Sequence, residues 1–293
     1  MLTMSIDARA PEALPLGLLV AGRYRLKAVL GRGGMGTVYR AHDVRDDAAV
    51  ALKVLRPRHT SESAAAERFR REATLAGMEH KHVAAAKRAG ELPDGRPFLA
   101  MELLTGETLG ARLERTGRLS TEDAVRIGAE LLDGLAAAHE RGIVHRDVKP
   151  ANVFLAKTEA GETTKLLDFG VARPGGKKQL ALTKTGDVIG TPAYLSPEQA
   201  TGLKDVDARV DIWAVGVLLY RMLAGRMPFG GRNFTELVLR IVSEDPEPLR
   251  KVAPEVSAEL GAVVGRALAK QRDQRFSSAA EMRAALLEVV GSG

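Results

Sequence analysis

The chain has 293 residues, 45% hydrophobic and 27% charged, which is enough apolar material for a substantial core and excludes a disordered chain. It has no cysteine, which excludes a disulfide framework and a thiolate zinc site and fits a cytoplasmic location. The net charge of +6 comes from Lys and Arg spread among acids, and aromatics make up only 4%, so no nucleic-acid partner is expected.

In chain order, residues 1–21 mix small and apolar residues with Pro11 and Pro15 and read as a tail or cap. The run "LPLGLLVAG" (14–22) is too short to span a bilayer and lacks a basic lead. From Tyr24, the runs "YRLKAVLG", "GTVYRAHD" and "VALKVL" predict three short strands separated by Gly and charged turns. "SESAAAERFRREATLAGM" (61–78) predicts a helix capped by Ser61 or Ser63, and "PFLAMELL" (97–104) another buried strand. After Gly106 helices dominate. Residues 120–142 open on a Ser-x-x-Asp cap and close at Gly142. Further helices are expected over 207–225, 233–244, 257–270 and 277–290. The run "IWAVGVLLYRMLAG" (212–225) is short for a membrane span and carries Arg221, so it reads as a buried core helix. The Gly-, Thr- and Lys-rich stretch 168–198 predicts a loop of about thirty residues, a length that is usually functional. The plan is a small sheet-rich lobe and a larger helical lobe, with a ligand expected between them.

The polar motifs are weak one at a time. Gly31, Gly33 and Gly36 form G-x-G-x-x-G, but the next segment reads as a strand, which demotes a dinucleotide fold and leaves a Gly-rich hairpin able to approach phosphates. Lys53 ends "VALK" and is either a snorkelling surface residue or the partner of a carboxylate, with Glu72 favoured over Glu67 and Glu62. "GIVHRDVKPANVFL" (142–155) sets His145, Arg146, Asp147, Lys149 and Asn152 between apolar runs, which are read as short strands pinning both ends of the loop. Asp168 follows "KLL" and precedes Phe169-Gly170; with Asn152 it supplies hard oxygen ligands suited to magnesium. Glu79-His80-Lys81-His82 brings two imidazoles close, and a helix-to-strand turn is the better reading than a metal site.

Taken together and in this order, the Gly-rich loop, lysine, helical glutamate, H-R-D-x-x-x-x-N and D-F-G resemble the signature of the protein kinases. "GRGGMGTVY", "HRDVKPAN" and "GTPAYLSPEQ" are similar to the bacterial members of the eukaryotic-type serine/threonine protein kinases, over roughly residues 22–290. The resemblance implies an α+β, bilobal fold: a tail over 1–21, an antiparallel-sheet N-lobe with one main helix up to a hinge over 22–104, and a mostly helical C-lobe over 105–290. It implies ATP and Mg²⁺, with Mn²⁺ as an allowed substitute, and protein substrates carrying Ser or Thr acceptors.

Carried over, Gly31, Arg32, Gly33, Gly34 and Gly36 form the loop over the ATP phosphates, and Lys53, oriented by Glu72, holds them. Val38, Ala51 and Phe154 flank adenine, Met101 is the gatekeeper, and Glu102 and Leu104 offer backbone groups to the ring. Asp147 orients the acceptor hydroxyl, Lys149 neutralises the phosphoryl group, and Asn152 and Asp168 bind the metal. Thr183 and Thr185 are the expected autophosphorylation sites, read by Arg146. Lys149 and Thr191 fit the serine/threonine class. Glu198 with Arg275 resembles a buried ion pair, Asp211 an anchor for the catalytic loop, and His145 and Phe169 packing members. Ala76 and the Ala-rich stretch 82–90 depart from the family pattern and predict looser small-lobe packing. Relatives dimerise through the small lobe, though no pattern here carries that, and many continue into a membrane anchor and sensor. A silent scaffold of the same fold and a small-molecule phosphotransferase are the alternatives.

Overall fold

The computed structural model describes residues 13–33, 36–55, 78–168 and 192–291. Residues 61–77 of the helix expected over 61–78, Ala76 among them, and residues 169–191 of the 168–198 loop lie outside them. The chain divides into two compact units, the first of residues up to 79 with 85–104, the second of 80–84 with residues from 105 onward.

The first unit is a six-stranded antiparallel sheet: β1 (Leu19–Val20), β2 (Tyr24–Arg32), β3 (Gly36–Asp43), β4 (Ala48–Leu55), β5 (Ala86–Glu91) and β6 (Pro97–Glu102), in the order β1-β2-β3-β4-β6-β5. Strand alternation sorts its side chains into two sets. Tyr24, Leu26, Tyr39, Ala41, Val50, Leu52, Phe98 and Ala100 form the core, with Tyr24 edge-on to Phe98. Residues 13–20 are more than a tail. β1 pairs with β2, Gly17 N–H donates to Leu26 O (2.9 Å), Leu14 packs on the core, and its N–H donates to the buried Tyr39 hydroxyl (2.7 Å). That bond meets the polar end of an otherwise core-facing tyrosine.

The second unit holds a small sheet of β7 (Gly106–Thr108), β8 (Val153–Thr158) and β9 (Gly161–Leu166), and eight helices among the described residues: α1 (Leu109–Thr116), α2 (Thr121–His139), α3 (Pro197–Ala200), α4 (Arg209–Ala224), α5 (Phe234–Ser243), α6 (Leu249–Val252), α7 (Ala258–Ala267) and α8 (Ala279–Gly291). The expected Ser120 cap is present, while α2 ends at His139 with Glu140 as its cap, short of the Gly142 expected. Ser120 accepts from Asp123 N–H, Asn233 from Glu236 N–H and Ser257 from Leu260 N–H, while Gly225 ends α4 in a left-handed conformation. Every residue from Val210 to Tyr220 is buried, so α4 is the core helix expected, with α2, α7 and α8 packed around it. No described helix is long and apolar enough to cross a membrane.

The segment 80–84 turns against this second core. Leu166 N–H donates to His82 O (2.9 Å) and Ala84 N–H to Leu166 O (3.0 Å). A Cβ on Gly134 would come within 2.8 Å of His82 O, so α2 needs glycine at this crossing. His80 and His82 point their Nε2 atoms at Asp133, at 3.7 and 3.9 Å, and among the described residues no cluster of His, Asp or Glu could hold a metal ion. Lys81 and His82 form a turn, and the helix expected before it lies outside the described residues. Burial lowers the His80 pKa, against the pull of Asp133.

Candidate active site

In the first unit, register gathers the candidate nucleotide residues on one sheet face. Val38 lies opposite Lys53, Lys53 opposite Leu99, and Ala51 opposite Met101. Directly opposed residues share a face, as do residues two apart, so Val38, Ala51, Lys53 and Met101 line the surface away from the Tyr24–Leu52 core. Ala51 and Lys53 are buried, and Met101 is half-buried.

The Gly-rich stretch is the expected hairpin, with Gly31 opposite Val38, Arg32 opposite Thr37, and Gly33 N–H donating to Gly36 O (2.9 Å). Its glycines have different reasons. A Cβ on Gly31 or Gly33 would meet nothing within 4 Å, whereas one on Gly36 would sit 2.2 Å from Val54 O. Gly36 is therefore demanded by strand packing, while Gly31 and Gly33 leave bare backbone facing open space. Glu102 N–H donates to Ala85 O (3.0 Å), and the Glu102 carboxylate accepts from Ala85 N–H (2.8 Å). Any backbone contact it makes with a ligand falls to its carbonyl. Leu104 lies just beyond β6. Gly34, Glu72, Phe169, Thr183, Thr185 and Thr191 lie outside the described residues.

In the second unit, residues 143–152 form a loop whose every turn is bonded. The downstream end is pinned as expected, since Val153–Leu155 enter β8 and Phe154 stands opposite Thr108 and Lys165. The upstream end is not a strand. Ile143 N–H donates to Ala138 O (3.0 Å), and the next amides go to one buried carboxylate: Asp211, at the start of α4, accepts from His145 N–H (2.9 Å), Arg146 N–H (2.7 Å) and the His139 ring (2.8 Å). A carboxylate taking three donors offsets much of its own desolvation. His145, itself buried, accepts from Asp147 N–H at Nδ1 (3.2 Å) and bonds Leu167 O through Nε2 (2.9 Å). It thus ties the loop to the segment just before Asp168.

Asp147 emerges from this frame. Lys149 Nζ lies 2.7 Å from Asp147 Oδ2, and Asn152 Nδ2 donates to Asp147 O (2.9 Å) and Oδ2 (3.2 Å). Both side-chain bonds fall on Oδ2, so Oδ1 is left to accept a further hydrogen. The Asn152 amide nitrogen is likewise engaged, which leaves its Oδ1 as a hard oxygen ligand. Two non-glycine residues adopt left-handed backbone here, Arg146 (φ 63°) and Asp168 (φ 56°), a conformation that clusters at functional sites. Asp168 follows β9 directly, and Leu167 N–H donates to Asn152 O (2.8 Å), so the two candidate metal ligands are joined through backbone. The buried Arg146 Nε has no hydrogen-bond partner among the described residues.

Beyond the loop, Arg275 makes a bidentate bond to Glu198 (2.7 and 2.9 Å) and also donates to Ala269 O and Lys270 O. This is the buried ion pair the sequence suggested. Sequence reasoning missed His139, which ends α2 in an ordinary "AHERG", and Gln199, whose Nε2 donates to Arg146 O (3.0 Å). No local signal marks either, because each acts on a partner more than fifty residues away.

The chain matches the model of the family described as "Protein kinase domain" over residues 24–286. It is 41% identical over 274 residues to the serine/threonine-protein kinase PknB of Mycolicibacterium smegmatis, an alignment covering 92% of this chain and 43% of that protein. It is 42% identical over 278 residues to the serine/threonine-protein kinase pkn2 of Myxococcus xanthus, covering 93% and 33%. The chain thus spans less than half the length of these curated relatives. Among solved structures, the crystal structure of the Mycobacterium tuberculosis PknI kinase domain is similar with a TM-score of 0.75 and 30% identity, over 94% of this chain and 100% of that one.

Proposed function

The chain belongs to the protein kinase domain family, among the bacterial serine/threonine-protein kinases, and we propose that it transfers the γ-phosphoryl group of ATP to Ser or Thr hydroxyls of proteins. The family uses ATP and a divalent metal ion; for this chain we take the ion to be Mg²⁺, with Mn²⁺ able to replace it. The observation that carries the reading is the catalytic loop, in which Asp211, His145, Lys149 and Asn152 fix Asp147 with Oδ1 left to accept a hydrogen.

Phosphoryl transfer asks for position and charge compensation more than covalent help. Asp147 Oδ1 accepts the hydrogen bond of the acceptor hydroxyl and takes its proton as the new O–P bond forms and the bond to the ADP leaving group breaks. Lys149, which lies against Asp147, turns its ammonium to the transferring group. Lys53 neutralises the α- and β-phosphates. Gly31 and Gly33, open to space, let backbone amides approach the phosphates, with Arg32 and Gly34 completing the loop and Gly36 holding its base. Val38, Ala51, Met101 and Phe154 supply apolar contact to adenine, and the Glu102 carbonyl and Leu104 backbone its polar contacts. Asn152 Oδ1 and the Asp168 carboxylate would hold the ion, a donor set of hard oxygens that suits magnesium when completed by phosphates and water. When bound, the ion draws charge from the phosphate oxygens. Glu72 is assigned to orient Lys53. The buried Arg146 Nε, without a hydrogen-bond partner among the described residues, supports a role in reading phosphate on Thr183 or Thr185, placed there by autophosphorylation. A cytoplasmic site of action follows from ATP as substrate.

Radiolabelled ATP, divalent metal and casein as a generic acceptor test the reading. Wild type is expected to label casein, and Asp147→Asn to lower the rate by about 10²- to 10⁴-fold. Equal labelling by both proteins would remove Asp147 from its role, and no labelling by wild type would favour a silent scaffold.

A further inference from the structure

Gln199 joins two parts of the second unit that no sequence motif connects. It sits at the third position of α3, in the segment "SPEQ". There its Oε1 accepts from Ser196 N–H (3.1 Å) while its own N–H donates to the Ser196 hydroxyl (3.4 Å), a reciprocal capping box. A capping glutamine ordinarily leaves its Nε2 to solvent. Here Nε2 reaches across to the carbonyl of Arg146 (3.0 Å), the residue immediately before Asp147.

That carbonyl belongs to a strained link. Arg146 has φ 63°, the left-handed region that side-chain-bearing L-residues disfavour, so the peptide between His145 and Asp147 needs outside restraint to stay there. Asp211 holds it from one side through Arg146 N–H (2.7 Å), and Gln199 holds it from the other through Arg146 O. The side chain of residue 199 is thereby locked at both ends: Oε1 by the Ser196 amide, Nε2 by the catalytic loop. Ser196 is fully buried and Glu198 is fixed by Arg275, so the stretch 196–199 that grips the loop is itself rigid.

We propose that Gln199 is a positioning residue that sets the orientation of Asp147 through the Arg146 carbonyl and couples the catalytic loop to the α3 segment. The proposal rests on the kinase reading of Asp147. Gln199→Glu keeps the capping oxygen but puts an acceptor where the loop needs a donor. Ser196→Ala does the reverse, removing the cap hydroxyl and leaving the donor in place.

Two readouts on the full chain separate these effects: casein phosphorylation kinetics, and amide hydrogen exchange over residues 143–148, which needs no activity. Gln199→Glu is expected to lower kcat by about tenfold, the scale of one hydrogen bond, with the KM for ATP unchanged and exchange over 143–148 accelerated. Gln199→Met, which adds no charge, should do the same in both readouts. Ser196→Ala should lower the melting temperature while leaving kcat and that exchange at wild-type values. Wild-type exchange over 143–148 in both Gln199 variants overturns the proposal, and so does a Ser196→Ala variant that reproduces their kinetic and exchange effects. A wild type that labels nothing, with exchange still accelerated only in the Gln199 variants, sinks the kinase reading and leaves the coupling standing.

Discussion

At the scale of single residues, the site depends on side chains that never meet a substrate. His139 is the clearest. Its ring lies 2.8 Å from Asp211 Oδ2, the oxygen that also accepts from His145 N–H. Replacing it with leucine leaves a nearly inaccessible carboxylate short of one partner and free to draw the loop amides out of place. His139→Leu is expected to lower kcat by about tenfold with the KM for ATP unchanged, while His139→Gln, which can still donate, keeps most of the activity. Steady-state kinetics of the two variants decide it, and equal rates for both would show that the ring only fills space. Of the residues to which we assign the chemistry, Asp147, Lys149 and Asn152 were legible in the sequence because their spacing is local, and Asp168 from its place before Phe169-Gly170. His139, Asp211 and Gln199 act across folded distance, and only Asp211 was suggested, by resemblance.

At the scale of elements, most of the architecture was written in short-range signals. Strand alternation located β2, β3, β4 and β6, and Ser, Asn and Gly caps located the helix ends within a few residues. Two of the strands that were missed share a cause. β1 is two residues long and β7 three, too short to carry a period, and both exist because a neighbouring edge offers backbone partners. The upstream arm of the loop read as a strand because Ile143 and Val144 are β-branched, yet the Ile143 amide goes back to Ala138 O and the His145 and Arg146 amides go to the Asp211 side chain instead of a ladder. Between elements, the Glu198–Arg275 pair joins α3 to the stretch before α8. Arg275 has no exposed side-chain surface, so Glu198→Ala strands a buried guanidinium. The expected loss is about 3–5 kcal/mol in urea unfolding. A loss under about 1 kcal/mol would mean that the carbonyls of Ala269, Lys270 and Arg209 suffice for Arg275.

At the scale of the whole molecule, two measurements bear on stability. Lys270 donates to Ile241 O (2.9 Å) and sits 4.0 Å from the Phe229 ring, which stacks on Trp213. Burial pushes its pKa down to about 8, with Asp245 opposing and Arg275 adding to the fall. The folded state therefore binds fewer protons than the unfolded one between about 8 and the ordinary 10.5, and stability from this group rises with pH through that window. Its cost is full below about pH 8. The melting temperature of Lys270→Met relative to wild type should accordingly fall between about pH 7 and pH 10, and a difference constant with pH would contradict the shift. The second measurement is ligand linkage. ATP with Mg²⁺ should raise the melting temperature, since a ligand bound only by the folded state stabilises it, and EDTA should reverse most of the rise. An EDTA-insensitive rise would detach Asn152 and Asp168 from metal binding.

By itself the sequence determined which carboxylate, lysine and amide the HRDVKPAN stretch presents, and in what order. That information is local, because Asp147, Lys149 and Asn152 fall within one short loop. Tertiary structure alone decided how those groups are held. The face shared by Val38, Ala51, Lys53 and Met101 follows from the register of three strands. The left-handed turn at Arg146 survives because Asp211 and Gln199 grip it from 65 and 53 residues away. Such partners are chosen by packing, which no short-range pattern encodes.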